Sequence, residues 1–128
     1  MDKQILDTIN AIPIWTNNIK IKKLDGGMTN QNFLVEDDKS KYVVRLGSDI
    51  PEHLVSRSNE VIASKAASRC GISPNVMYHN LGILILEFIE SKTLTDKDIK
   101  KDIINIIPLI KKIHNEIPKN IYGQSLIF

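Results

Sequence analysis

The chain has 128 residues, 42% hydrophobic and 25% charged, a composition that excludes a disordered or fibrous protein and fits an ordinary globular one. That length buries one hydrophobic core and leaves little room for two independent domains. Its 17 basic and 15 acidic residues are spread along the chain without a basic block, so the formal charge of +2 argues against nucleic acid as a partner.

Cys70 is the single cysteine, which rules out an internal disulfide or a multi-cysteine metal site within the chain and suits a reducing, cytoplasmic setting. Its expected role is that of a small core side chain. The opening residues carry acids and lack the basic stretch and apolar run of an export signal. The longest apolar run, Ile103 to Ile110, is interrupted by Asn105 and Pro108 and falls short of the roughly 18 residues of a membrane helix. No membrane association is expected.

In chain order, Lys3 to Ile9 predicts a short lead-in helix with Asp2 as its cap and Ile5, Leu6 and Ile9 on one side. Ile19 to Leu24 alternates apolar and polar residues, and Asn32 to Glu36 and Lys41 to Leu46 repeat that pattern. Their connections, Asp25 to Asn30 and Asp37 to Ser40, are rich in turn formers, so a three-strand antiparallel meander is predicted. Between Pro51 and Cys70 the period changes: Glu60, Ala63, Ala67 and Cys70 share one helical face, expected to be buried, and Gly71 and Pro74 end the helix. A second hairpin, Val76 to Tyr78 and Ile83 to Ile89, turns around Asn80-Leu-Gly82. Thr95 can cap a last helix reaching about Asn115, with Ile99, Ile103, Ile106, Ile110 and Ile113 at helical spacing and Pro108 expected to kink or divide it.

Three features carry chemistry. Gly26 and Gly27, followed by Met28, Thr29 and Asn30 between two strands, form a turn whose backbone N–H groups can cradle phosphate, although a Gly-Gly turn by itself is more often structural. Arg45 ends the third strand on the side opposite Val44. Glu60 stands in the apolar stripe of the following helix, where a carboxylate is costly unless paired, and Arg45 is the economical partner. An arginine held by a glutamate beside a glycine turn is a fixed, always-charged fork suited to phosphate oxygens; the alternative is a buried ion pair without a ligand.

The spaced string Leu24-x-Gly-Gly-Met-Thr-Asn30, Tyr42-Val-Val-Arg-Leu46, Asn59-Glu60, Gly71-Ile-Ser-Pro74 and Leu86-Glu-Phe-Ile89 resembles the small lobe of choline and ethanolamine kinase-like and aminoglycoside phosphotransferases, over about Ile19 to His114. The resemblance implies an α+β fold: a kinase-like small lobe of about five antiparallel strands with one packed helix, followed by the first helix of the large lobe. Residues 1–90 would be the ATP-binding lobe, and residues 91–128 the hinge and the start of the large lobe. It further implies that Gly26, Gly27, Met28, Thr29 and Asn30 form the phosphate turn, that Arg45 meets the α- and β-phosphates, and that Glu60 orients Arg45. The backbone of Glu87 and Ile89 would pair with the adenine edge, with Met77 and Leu86 as apolar surface for the ring.

Phosphoryl transfer also needs an aspartate to accept the substrate proton and Asn or Asp ligands for Mg²⁺. Neither an H-x-D nor a D-F-G motif follows His53, His79, His114 or any other residue, so no catalytic or metal-binding residue is expected in this chain. Asp96 and Asp98 read as first-turn acids favoured by the helix dipole, and His114 as a packed structural histidine. The expectation is thus the ATP-binding part of a kinase for the hydroxyl of choline or a similar amino alcohol, using ATP and Mg²⁺, with the catalytic lobe beyond Phe128. Aminoglycoside, thiamine or amino-sugar kinases are alternatives within the fold; a non-catalytic nucleotide-binding or partner-binding scaffold is the alternative outside it. Apolar surface around Ile103 to Ile113, Ile127 and Phe128 predicts self-association or a partner chain.

Overall fold

The computed structural model describes residues 2–25 and 29–120. Gly26, Gly27, Met28, Ile127 and Phe128, on which part of the sequence reading falls, lie outside the described residues.

Helix α1 spans Lys3–Asn10, and Asp2 caps it by accepting the Gln4 N–H at 3.0 Å. Ile9 is fully buried, and the Trp15 indole N–H donates to the Ile9 carbonyl at 2.7 Å, folding the following segment back over the helix end. Five strands follow: β1 Lys20–Leu24, β2 Gln31–Glu36, β3 Lys41–Leu46, β4 Val76–Asn80 and β5 Ile83–Glu87. They form one antiparallel sheet in the order β1-β2-β3-β5-β4. The hairpin turn between β4 and β5 has Leu81 and Gly82 at φ 28° and 82°, the left-handed region in which glycine is least strained. Gly82 also lies against the Gly47 backbone, whose N–H donates to its carbonyl at 3.0 Å, leaving no room for a side chain.

Strand alternation divides the apolar residues between two faces. Phe33, Val44 and Ile85 pair across β2, β3 and β5, and with Val35, Ile9 and Ile12 they form the buried core. Trp15 closes that face against Tyr42, ring centroids 5.4 Å apart. Each such side chain contributes about 1.5–3 kcal/mol by leaving water, which is what holds α1 to the sheet. The opposite face carries Leu34, Val43 and Leu86 in one row and Asn32, Arg45 and Leu84 in the next.

Helix α2, Arg57–Arg69, covers part of that second face beside β4. It does not begin at Pro51 as expected: a 3-10 turn at Pro51–His53 ends at Leu54 in the left-handed conformation, and Ser56 then caps α2 by accepting the Asn59 N–H. Its one fully buried residue is Ala66, three residues after Ala63 and four before Cys70 at the edge of the expected face; Glu60, Ala63, Ala67 and Cys70 are only half-buried. The five-stranded antiparallel sheet with α2 packed beside it is the α+β architecture expected, and the predicted lead-in helix α1 lies against the opposite face.

The C-terminal region holds α3, Asp96–Lys101, and α4, Ile103–Glu116. Thr95 and Asp98 form a reciprocal capping box, which accounts for Asp98. The helix divides at Asp102, six residues before the expected break at Pro108, which lies inside α4. Asp102 leaves the helical conformation at φ −113° and ψ 23°, and its backbone carbonyl then accepts the Asn105 and Ile106 N–H groups of the second helix. Among the described elements α4 packs appreciably only against α3, and Ile103, Ile104, Ile107, Leu109, Ile110 and Ile113 are exposed. For the same reason His114 is exposed, not packed as expected. None of the described helices is long and apolar enough to cross a membrane.

Candidate functional site

Arg45 projects from β3 away from the core, because its neighbour Val44 takes the core side. Its Nη1 donates to Glu60 Oε1 at 2.7 Å, so the strand and helix periods bring together the pair the sequence suggested. A second arginine, unanticipated, completes the cluster. Arg57, one turn before Glu60, donates from Nη1 to Glu60 Oε2 at 2.9 Å, so each carboxylate oxygen serves one guanidinium. Arg57 also donates from Nη2 to the Thr29 carbonyl at 2.7 Å and from Nε to the Ser48 carbonyl at 2.9 Å.

Burial pushes the Glu60 carboxyl up, but the hydrogen bonds and charges of Arg45 and Arg57 together outweigh it and hold the group below its ordinary range. Glu60 is therefore ionised, and two cations share one anion, leaving the site positive. Arg45 Nε and Asn30 Oδ1 are buried without a hydrogen-bond partner among the described residues. Buried polar atoms are normally satisfied, so an N–H of this kind suits an anion and the amide oxygen a donor or cation. The cluster lines an open cleft of about 870 Å³ that runs from Asn30 and Arg45 past Gly47 and Glu60 to Lys65 and His79. Lys65 Nζ and His79 Nε2 lie 2.7 Å apart at its far end.

Of the expected phosphate turn, Thr29 and Asn30 lie at this cleft, with Asn30 Nδ2 3.5 Å from Glu60 Oε1. Glu87 and Ile89 stand apart, at the other end of β5. The Glu87 N–H donates to the Asn75 carbonyl at 2.9 Å, and its carboxylate accepts from Asn75 Nδ2 at 2.8 Å, tying the strand end to the loop after α2. Asn75 in turn accepts from Ser68 Oγ of α2 at 2.8 Å. The strand stops at Glu87, short of the expected Ile89, which is exposed. Leu86 is buried, whereas Met77 falls at a bulge between Val76 and Tyr78 and is half-exposed. Val43 and Leu34 share Arg45's face and offer half-buried apolar surface there. Both were legible, since Val43 lies two residues before Arg45 on one strand. Arg57 left a fainter trace, one turn before the glutamate on the same helix.

Among the described residues no group of three His, Cys, Asp or Glu side chains could hold a metal ion.

Comparison with known proteins bears on the family and the fold. No individual protein of curated function matches the sequence. Among solved structures, the choline kinase LicA from Streptococcus pneumoniae shares 25% identity at a TM-score of 0.66, with 87% of this chain and 40% of that chain covered. LicA in complex with AMP gives 28% and 0.67, with 90% of this chain and 41% of that one covered. A Plasmodium vivax ethanolamine kinase gives 23% and 0.66, with 81% and 29% covered, and at that identity shows the fold alone. The chain thus spans well under half the length of these kinases. Residues 21–121 match the sequence profile of the choline/ethanolamine kinases, and the chain belongs to that family.

Proposed function

We propose that this chain is the ATP-binding part of a kinase that phosphorylates the hydroxyl of choline or a similar amino alcohol. The observation that carries the reading is Arg45, fixed by Glu60 at the cleft beside the β1–β2 turn, with a buried N–H that lacks a partner among the described residues. A guanidinium held in this way is preorganised for phosphate oxygens, because less side-chain entropy is lost on binding than from a free arginine. The turn at Gly26, Gly27, Met28, Thr29 and Asn30 would supply backbone N–H groups to the phosphates. The apolar face at Leu34, Val43 and Leu86 would receive the adenine ring, and the Glu87 carbonyl and Ile89 N–H its polar edge. A family member with AMP bound supports nucleotide use.

When bound with ATP, Mg²⁺ neutralises the phosphate charge and orients the transferred group. Its ligands and the proton-accepting aspartate belong, on this reading, to a large lobe of which residues 91–128 form the beginning, residues 1–90 being the small lobe. A cytoplasmic setting is part of the same proposal. Aminoglycoside, thiamine and amino-sugar kinases differ from it only in the acceptor. Titration of Mg·ATP against the chain and against Arg45→Ala tests the site: clear binding weakened about tenfold or more in the variant is expected from loss of a charged contact. Equal binding by both, or none by either, removes it.

A second reading, a partner-binding scaffold that has kept the small lobe, is favoured by the exposed isoleucines of α4. Binding of a protein partner by a chain that takes up no nucleotide would support it instead.

A further inference from the structure

We propose that Arg57 is a positioning residue that orients the Thr29–Asn30 peptide at the phosphate end of the cleft, acting through the Thr29 carbonyl and through Glu60 while touching no ligand itself. The inference rests on the nucleotide site proposed above and assigns a division of labour within it.

The two arginines look alike in sequence but are used differently. Arg45 makes one bond to Glu60, keeps a buried N–H without a partner among the described residues, and its side chain is 32% exposed. Arg57 is 11% exposed and spends the donors along its fork on three separate segments. Nε holds the Ser48 carbonyl after β3, Nη1 holds Glu60 on α2, and Nη2 holds the Thr29 carbonyl of the β1–β2 connection. Its own N–H donates to Asp49 Oδ1 at 2.7 Å, fixing the start of the helix from which the side chain departs. The guanidinium lies against Gly47: a Cβ there would stand 2.5 Å from Nη2 and 2.8 Å from Cζ.

A peptide plane is rigid, so fixing the direction of the Thr29 C=O also fixes the opposed direction of the Asn30 N–H. A turn that cradles phosphate works by presenting such N–H groups already oriented. Without Arg57, the Thr29 carbonyl loses its tie to α2, and Glu60 loses the partner of its second oxygen, leaving only Arg45 and the longer Asn30 contact to hold it. The adenine-facing residues on β2, β3 and β5 are untouched, because Arg57 contacts none of them. Loss of Arg57 therefore weakens the phosphate half of recognition selectively. Lysine cannot replace it, since a single ammonium does not span three acceptors held in a planar fork.

The test is a chemical-shift titration of the 128-residue chain with Mg·ATP and, separately, with adenosine, in wild type, R57A, R57K and G47A. G47A keeps every charge, and its added methyl displaces the guanidinium and also meets Asn30 Oδ1 at 2.9 Å, so it disturbs Arg57 and Asn30 together. Expected is a loss of about tenfold or more for ATP in all three variants, with adenosine within about twofold of wild type. Unchanged ATP affinity in R57A, full rescue by R57K, or equal losses for ATP and adenosine overturn the proposal. If R57A does not fold, R57K decides it by the same criterion. Failure of the nucleotide site itself is read separately, from wild type and R45A alone.

Discussion

Replacing Glu60 by glutamine keeps the shape of the side chain and removes its charge, which isolates the electrostatics of the cluster. The carboxylate accepts from Arg45 at 2.7 Å on one oxygen and from Arg57 at 2.9 Å on the other. A glutamine amide has one acceptor, so whichever way it turns, its NH₂ faces a guanidinium donor. Breaking one partner of a fully buried pair costs about 3–5 kcal/mol. Here the side chains of Glu60 and Arg45 are 19% and 32% exposed, so solvent screens the pair and about 1–2 kcal/mol is the fitting figure. For a chain of this size that lowers the melting temperature by about 4–8 °C. Thermal unfolding followed by circular dichroism measures it.

The pH dependence fixes the cause. The folded-state carboxyl lies below its ordinary value of 4.5, so its contribution is complete above that value and is lost as pH falls through the folded-state value. Wild type and Glu60→Gln should therefore differ fully near about pH 7 and converge in acid, where the native side chain is itself neutral. A gap that persists unchanged into acid, or a variant as stable as wild type at neutral pH, would refute the reasoning.

Two further outcomes are expected. Asp37 is buried and accepts the Lys39 and Ser40 N–H groups at 2.9 and 2.8 Å, together with the Thr16 N–H and hydroxyl, and those bonds, the backbone ones foremost, lower its carboxyl from 3.8. Asp37→Ala should loosen the β2–β3 turn and the segment after α1 together and lower the melting temperature above that pH, the deficit closing in acid; equal melting at neutral pH counts against it. The paired change Ile107→Lys and Ile110→Lys on the exposed face of α4 should shift sedimentation toward monomer without loss of nucleotide binding, and a self-association that survives it places the contact elsewhere.

Much of this was legible in the sequence because it depends on short-range geometry. Alternation along Lys41–Leu46 puts Val44 in the core and Arg45 opposite, whatever else the chain does. Helical spacing and the cost of an unpaired carboxylate point Glu60 toward a cation, and β3 leads directly into the connection before α2. Turn chemistry marks Asp37–Ser40 and Asn80–Gly82, where a residue's own side chain or its lack of one decides the backbone.

Other features are set by groups distant in the chain or by competition between local signals. Arg57 reads as one of many surface cations until the Thr29 carbonyl, 28 residues earlier, is brought to it. Asp102, with its backbone outside the helical conformation, ends one helix and starts the next, although Pro108 is the stronger local breaker. Periodicity placed the inner face of α2 around Ala63, Ala67 and Cys70, but only packing decided that Ala66 at its edge is the residue fully buried. The sequence by itself therefore determined the strands, the arginine–glutamate pair and the family, which follow from local periodicity and from short motifs in a fixed order along the chain. Only the tertiary structure decided which arginine keeps a buried N–H without a partner among the described residues and which ties three segments together, because identical guanidinium groups differ only in the acceptors that folding places around them.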